Sequence, residues 1–457
     1  MFKHLVVIFL FFGFFHGINA QTISGKKIVK QAKVLVENGN ERAAISLMVS
    51  NFNESDKSVD LLALELSKLY VKAHLLDSSK YYLRYVESAK LMDESTNLTS
   101  KVDSLKEQYN IAILTAWKSF DNKDYQNANA SFSEALTYDI GHYEGYLGKS
   151  EILLIEGDHQ QAIVGFKEAL TKYFPNKKEQ AHAYEHLAEA YLVERDAFQA
   201  IKVCDLGLGL DPENRGLVYF KAKGKYFQRL FLESKELFTQ YLRFYPEDPQ
   251  VNHYIGSCWY YLRNYKEAIP FFSSAIKFNG INENYNLRGR SYYEEGNYDL
   301  AIKDFQKLSS QYNDNFYAFN ALGVSNYAYA KYDSAVVYME KAVELSPTFA
   351  YQFNLIKAYM ANGQNKLAIS LCNKMAEKYR ASNKLNVVHC EALINEGDYK
   401  SAKEWLEGSV QLNPYVKEYF ELAELIYQKL GDIDSSKDYK SRGESVQLSP
   451  LNFDLTF

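Results

Sequence analysis

The chain has 457 residues, 47% hydrophobic and 24% charged, with a net charge of −5. That length exceeds one compact domain and the balance excludes global disorder. Acids and bases alternate along the whole length with no basic run, which argues against a nucleic-acid or anionic-membrane partner.

The first twenty residues stand apart. Lys3 and His4 precede an apolar run from Leu5 to Phe15, broken only by Gly13, and Ile18-Asn19-Ala20 ends on a small residue. Residues 1–20 read as an export signal cut after Ala20, because the run is shorter than the ~20 residues of a membrane span. The first cysteine is Cys204, so no lipid attachment is expected at the cut. No second run of spanning length follows, and no stable membrane span is expected after signal cleavage.

Downstream, residues 21–98 read as divergent helices, 99–448 as a regular array and 449–457 as a tail. Asp93-Glu94-Ser95-Thr96-Asn97 is loop-like, and Val102, Leu105, Tyr109, Ala112, Ile113 and Ala116 then keep helical spacing. From there one small residue returns at intervals of 33 to 34: Ala200, Ser234, Ala268, Ala301, Ala335, Ala368, Ala402 and Ser436. Ala162 and Ala128 extend the series upstream, and Ser79 and Ala44 keep its order. A small side chain at a fixed register lets two antiparallel helices approach closely. Two spacings break the rhythm, 49 residues from Ser79 to Ala128 and 38 from Ala162 to Ala200. The second places a longer loop around Phe174-Pro175-Asn176-Lys177-Lys178. Pro270 falls early in a predicted helix and argues against local regularity. In the tail, Phe453, Leu455 and Phe457 alternate with polar residues, and a loosely packed end is expected.

Between successive small residues the pattern is constant. Tyr184, Leu187, Ala188 and Tyr191 mark one helix face, Arg195-Asp196 a turn, and Ala200, Cys204 and Gly207 a second helix closed by Asp211-Pro212. Tyr285, Gly289 and Tyr292, then Gly296-Asn297-Tyr298, then Ala301 and Phe305 repeat it. Phe319, Leu322 and Gly323 lead in the same way to Ala335, Met339, Ala342 and Pro347. This resembles the tetratricopeptide repeat family, with its aromatic, Leu-Gly, Tyr, small Ala, aromatic and closing Pro. The resemblance implies an all-α, right-handed solenoid of about twelve helix-turn-helix units over residues 25 to 448, and it says little about activity.

It also implies that the first helix of each unit lines a concave surface. Residues between the packing positions are then candidates for binding: Tyr219, Lys223, Tyr226 and Phe227; His253, Tyr260 and Tyr261; Asn286, Arg290 and Tyr293; Tyr317, Asn320 and Tyr327; Phe353 and Lys357. Tyrosine, 38 residues of the chain, and Arg bury much area at low entropic cost in interfaces. The paired Lys and Asn with which members of the family clamp acidic C-terminal tails are not found.

One motif carries chemistry. His182-Ala183-Tyr184-Glu185-His186 fits H-x-x-E-H, two histidines on one helix face with Glu185 as a base. Tyr184 and Leu187 are already explained by packing, and a catalytic zinc needs a third ligand, so zinc-peptidase chemistry remains a remote alternative. Cys204, Cys258, Cys372 and Cys390 fall in predicted helices and read as buried small hydrophobes, with a Cys372–Cys390 bridge left open. The expectation is a non-enzymatic scaffold without cofactor. Its partners would be envelope proteins, and its place periplasmic, outer-membrane-associated or secreted. A glycan- or peptide-binding groove is the alternative.

Overall fold

The computed structural model describes residues 25–54, 59–278, 282–311, 314–446, 451 and 455. The expected export signal, residues 1–20, lies outside them. The described residues form an all-α helical repeat solenoid. They fall into two compact units, Met1–Tyr241 and Leu242–Phe457, with the division at the last residue of a helix.

The first unit pairs α1 (Gly25–Glu37) with α2 (Glu41–Ser50), α3 (Val59–Lys72) with α4 (Leu76–Leu83), and α5 (Ala89–Asp121) with α6 (Tyr125–Tyr138). It continues with α7 (Glu144–Glu156) and α8 (His159–Ala169), α9 (Lys177–Val193) and α10 (Ala197–Leu210), and α11 (Arg215–Phe227) and α12 (Phe231–Leu242). The second unit pairs α13 (Pro249–Tyr261) with α14 (Tyr265–Phe278), α15 (Asn282–Glu294) with α16 (Tyr298–Gln311), and α17 (Phe316–Ala328) with α18 (Tyr332–Leu345). It ends with α19 (Phe349–Ala361) and α20 (Asn365–Tyr379), α21 (Asn383–Glu396) and α22 (Tyr399–Leu412), and α23 (Lys417–Lys429) and α24 (Ile433–Glu444). No described helix is long and apolar enough to cross a membrane.

The twelve pairs follow the register of the small residue. All twelve small residues, from Ala44 to Ser436, lie on the second helix of a pair and are buried. Ser234 and Ser436 use the position further: each hydroxyl donates to a carbonyl of the first helix, Ala222 at 2.9 Å and Glu424 at 3.2 Å. Glycine on the first helix serves the same contact from the other side. A Cβ at Gly256 would stand 2.9 Å from the Phe272 ring, and one at Gly323 would stand 2.4 Å from Met339 Cγ.

The turns obey an equally fixed rule. Each pair bends through one left-handed residue five places before its small residue, with φ between 54° and 89°. Six of these are glycines. The others are His74, Lys123, Arg195, Arg229, Arg263 and Ala330, which carry a Cβ in a region that disfavours one. In many pairs an Asp or Asn follows and caps the second helix: Asp196 accepts from the Gln199 amide at 3.0 Å and Asp398 from Ser401 at 3.1 Å. Such a cap contributes about 0.5–2 kcal/mol.

Three local expectations change. Residues 93–97 are helical inside the 33-residue α5 rather than a loop. Asp93, Glu94, Thr96 and Asn97 are exposed, while Ser95 and Val102 face the core. Lys177 and Lys178 belong to α9, so the long loop ends at Asn176, whose side chain caps that helix at the Glu179 amide. That loop is pinned by the Tyr173 amide, which donates to the Gly141 carbonyl at 2.8 Å. Pro270 does not interrupt α14, which runs through it. The four cysteines are buried, Cys372 and Cys390 as free thiols, and burial pushes the thiols of Cys204, Cys372 and Cys390 up, that of Cys204 to about 12.

Candidate functional site

Within each unit, several of the polar and aromatic residues expected to bind lie close together on neighbouring first helices. In the second unit, Tyr317 Oη donates to Asn286 Oδ1 at 2.9 Å, joining α17 to α15. His253 Nδ1 lies 2.7 Å from Asn284 Oδ1, joining α13 to α15. Burial pushes the phenols of Tyr260 and Tyr317 up, and the positive charge of Arg290 opposes it in both. Arg290 therefore stands within electrostatic reach of two tyrosines on the helices either side of its own. Farther along, burial raises the Glu391 carboxyl against the pull of Lys357.

Several tyrosines are partly engaged within their own repeat. Tyr260 packs against Tyr265, Tyr293 against Tyr298 and Tyr327 against Tyr332, with ring centroids 5.4 to 5.5 Å apart. Each couples the end of a first helix to the start of the second, as Tyr226 and Phe231 do at 5.7 Å in the first unit. Two expected surface residues are corrected. Asn320 is fully buried and Phe353 is 4% exposed. Their register does face the next first helix, but α19 covers Asn320 and the α17–α21 core encloses Phe353, which stacks near Phe349 at 6.0 Å.

In the first unit the open face of α7, α9 and α11 holds a cluster of titratable groups. Lys223 Nζ lies 5.4 Å from the Tyr219 ring centroid, and burial lowers its ammonium while Glu189 opposes. His186 Nε2 lies 3.2 Å from His182 Nε2 and 3.4 Å from Glu151 Oε1. Burial lowers the His186 imidazole to about 4 and raises the Glu151 carboxyl to about 7. A hydrogen bond to Glu185 is the main cause that raises the His182 imidazole. Glu185 is wedged between helices: a Cβ at Gly216 on α11 would come within 2.1 Å of its carboxylate. That seat gives Glu185 a packing role where the zinc-peptidase reading needs a base free to move. Among the described residues, no group of three His, Cys, Asp or Glu is placed to hold a metal ion.

Glu151, Glu189 and Glu391 were absent from the sequence-derived candidates. A signal for them exists. Each stands eleven places before its small residue, as do Lys223, Arg290 and Lys357. That position is charged in eight of the twelve pairs, Lys33 and Lys68 included, and uncharged at Trp117, Ser257, Val324 and Leu425.

A sequence profile of the tetratricopeptide repeat matches residues 286–348, which span α15 to α18. Over that span the chain carries tetratricopeptide repeats. A TPR repeat-containing protein of Methanocaldococcus jannaschii is 28% identical over 177 residues, 37% of this chain and 30% of that protein's length. Among solved structures, the chain is similar to YrrB, described as a TPR protein with an unusual peptide-binding site. That likeness has 22% identity, covers 41% of this chain and 94% of YrrB, and gives a TM-score of 0.38. The C-terminal part of a TPR repeat-containing protein from Cytophaga hutchinsonii is 17% identical, over 50% of this chain and 95% of that one, with a TM-score of 0.44.

Proposed function

We propose that the protein is a non-enzymatic protein-interaction scaffold of the cell envelope, and that it holds partner segments on the open face of its first helices. The observation that carries this reading is that the charge of Arg290 acts on both Tyr260 and Tyr317, half-buried on the first helices of the two neighbouring pairs. A guanidinium flanked by two half-buried phenols offers a charge, donors and apolar area together, the combination that dominates protein interfaces. Charges of both signs on the first helices give a partner its orientation more than its affinity. The apolar run Leu5–Phe15 followed by Ala20 supports an exported chain, and envelope proteins as its partners. A glycan groove has less support, because stacking on a sugar needs free ring faces and Tyr260, Tyr293 and Tyr327 are each packed against a neighbouring ring.

The test compares the full chain with its Arg290→Glu variant as affinity baits in envelope extracts, with captured proteins quantified by mass spectrometry. The variant is expected to lose a defined set of envelope proteins by about tenfold or more, while its circular dichroism and melting stay unchanged. Equal capture by both baits would overturn the site. Capture of cytosolic proteins alone would overturn the envelope assignment.

A further inference from the structure

We propose that His142 is a pH-sensitive pin in the first unit. Its protonated ring holds the loop between α6 and α7 against α4, and loss of the proton frees that loop.

The pin lies where the array loses its rhythm. The 49 residues from Ser79 to Ala128 include the 33-residue α5, which serves two cores. Its Val102 joins Leu64, Leu76 and Leu83 of α3 and α4, and its Tyr109, Ala112 and Ala116 join Phe132 and Ala135 of α6. The loop from Asp139 to Tyr143 ties those cores a second time. The Ile140 amide donates to the His74 carbonyl at 2.9 Å, at the left-handed turn between α3 and α4. A Cβ at Gly141 would stand 3.2 Å from Leu75 Cδ2, so the loop lies close against that turn. On its other side the Tyr173 amide holds the Gly141 carbonyl.

His142 carries the charge in this loop. Its Nε2 lies 2.8 Å from Asp77 Oδ2 on α4 and 3.7 Å from Asp139 Oδ2, and its Nδ1 lies 3.8 Å from Glu144 Oε2 on α7. Lys106 on α5 bonds the other oxygen of Asp77, and Tyr109 Oη donates to Glu144 Oε2 at 2.8 Å. The rings of Tyr109 and Tyr173 each stand 5.4 Å from the imidazole, centroid to centroid. Three carboxylates thus face two cations when the ring is protonated, and one when it is neutral. The Asp139 side chain is 1% exposed, and a buried carboxylate that loses a counter-charge is costly.

Burial lowers the His142 imidazole, but the Asp77 hydrogen bond and the charges of Asp139, Asp77 and Glu144 outweigh it and hold it above the usual 6.5. A raised imidazole supports the loop fully below pH 6.5, and that support is lost as pH rises through the raised value. Burial raises the Asp139 carboxyl, opposed by the Gly141 amide and the His142 charge. The His142 hydrogen bond holds Asp77 low, and burial pushes the phenols of Tyr109 and Tyr143 up, so these three do not titrate in that range.

The experiment follows hydrogen exchange of the full chain by mass spectrometry at pH 6, 7 and 8, corrected for the intrinsic rate at each pH. Protection of the segments around Ile140 and Tyr173 is expected to fall about tenfold across that range, while α15 to α18 keep theirs. His142→Gln is expected to give low protection of both segments with no pH dependence. Glu144→Gln keeps an acceptor for Tyr109 and removes one charge facing the imidazole, so the midpoint of the loss is expected to move to lower pH. A flat profile in the unchanged chain, or the same slope in His142→Gln, overturns the proposal. Where His142→Gln loses its helical circular dichroism, Glu144→Gln decides: a lowered midpoint supports the pin and an unmoved one overturns it.

Discussion

Asn354 Nδ2 donates to Asn320 Oδ1 at 2.9 Å across the seam between α19 and α17, and both side chains are fully buried. The two residues stand 34 apart, one repeat, so the bond ties equivalent positions of neighbouring pairs. Removing one partner takes a buried hydrogen bond from the other amide. Asn354→Ala and Asn320→Ala are each expected to cost about 1–3 kcal/mol. The double variant should cost less than their sum in a denaturation cycle. Strict additivity would show that the bond contributes nothing.

The small-residue register makes a sharper demand. Ala301 is fully buried on α16 against α15. Ala301→Leu should overpack that contact by about 1–3 kcal/mol, read as a lower denaturant midpoint. An unchanged midpoint would mean that the register is misassigned.

Ala330 offers the opposite sign. Its φ of 58° places a Cβ in the left-handed region, where Gly296 serves the equivalent turn one repeat earlier. Relief of that strain outweighs the added freedom of an unfolded glycine, and Ala330→Gly should stabilise by about 0.5–1 kcal/mol. Gly296→Ala should destabilise by a comparable amount. Thermal melting of the two variants checks both signs.

The repeat itself was legible because its cause is local and periodic. A buried small residue and a left-handed turn five places before it recur whatever the surrounding side chains are. Burial across the seam was less legible. Asn320 and Phe353 share the open-face register with Asn286, yet they are covered by the bulk of the α17–α21 core, a property of neighbours and not of spacing. Residues 93–97 misled for another reason: Asp, Ser, Thr and Asn weaken a helix only slightly, and packing of Ser95 and Val102 overrides that preference. Glu151, Glu189 and Glu391 were hidden because Glu and Lys on a helix surface ordinarily mark solvent.

The His186–Glu151 pair predicts a concealed pH dependence. Burial holds Glu151 protonated up to about pH 7, so the folded chain binds an extra proton from near pH 4.3 to 7, and stability falls as pH rises through that window. Burial keeps His186 neutral down to about 4, so the unfolded chain binds the extra proton from about pH 4 to 6.5, and stability falls as pH drops through that window. The two slopes oppose each other. Glu151→Gln should leave a protein that weakens on acidification below pH 6.5, and His186→Gln one that weakens as pH rises toward 7, each by at most about 1.4 kcal/mol per pH unit. Urea denaturation at pH 4.5, 5.5 and 6.5 separates them, and parallel profiles would remove the pair as the cause.

Four buried cysteines sit in α10, α13, α20 and α21, each sealed from solvent by the helix pairs around it. A membrane-permeant or aqueous thiol reagent can reach none of them until its own stretch of the stack opens. The protein therefore carries four built-in clocks, one in its first unit and three in its second. The order in which they react under native conditions would draw a map of local opening along the chain, with no probe engineered into it.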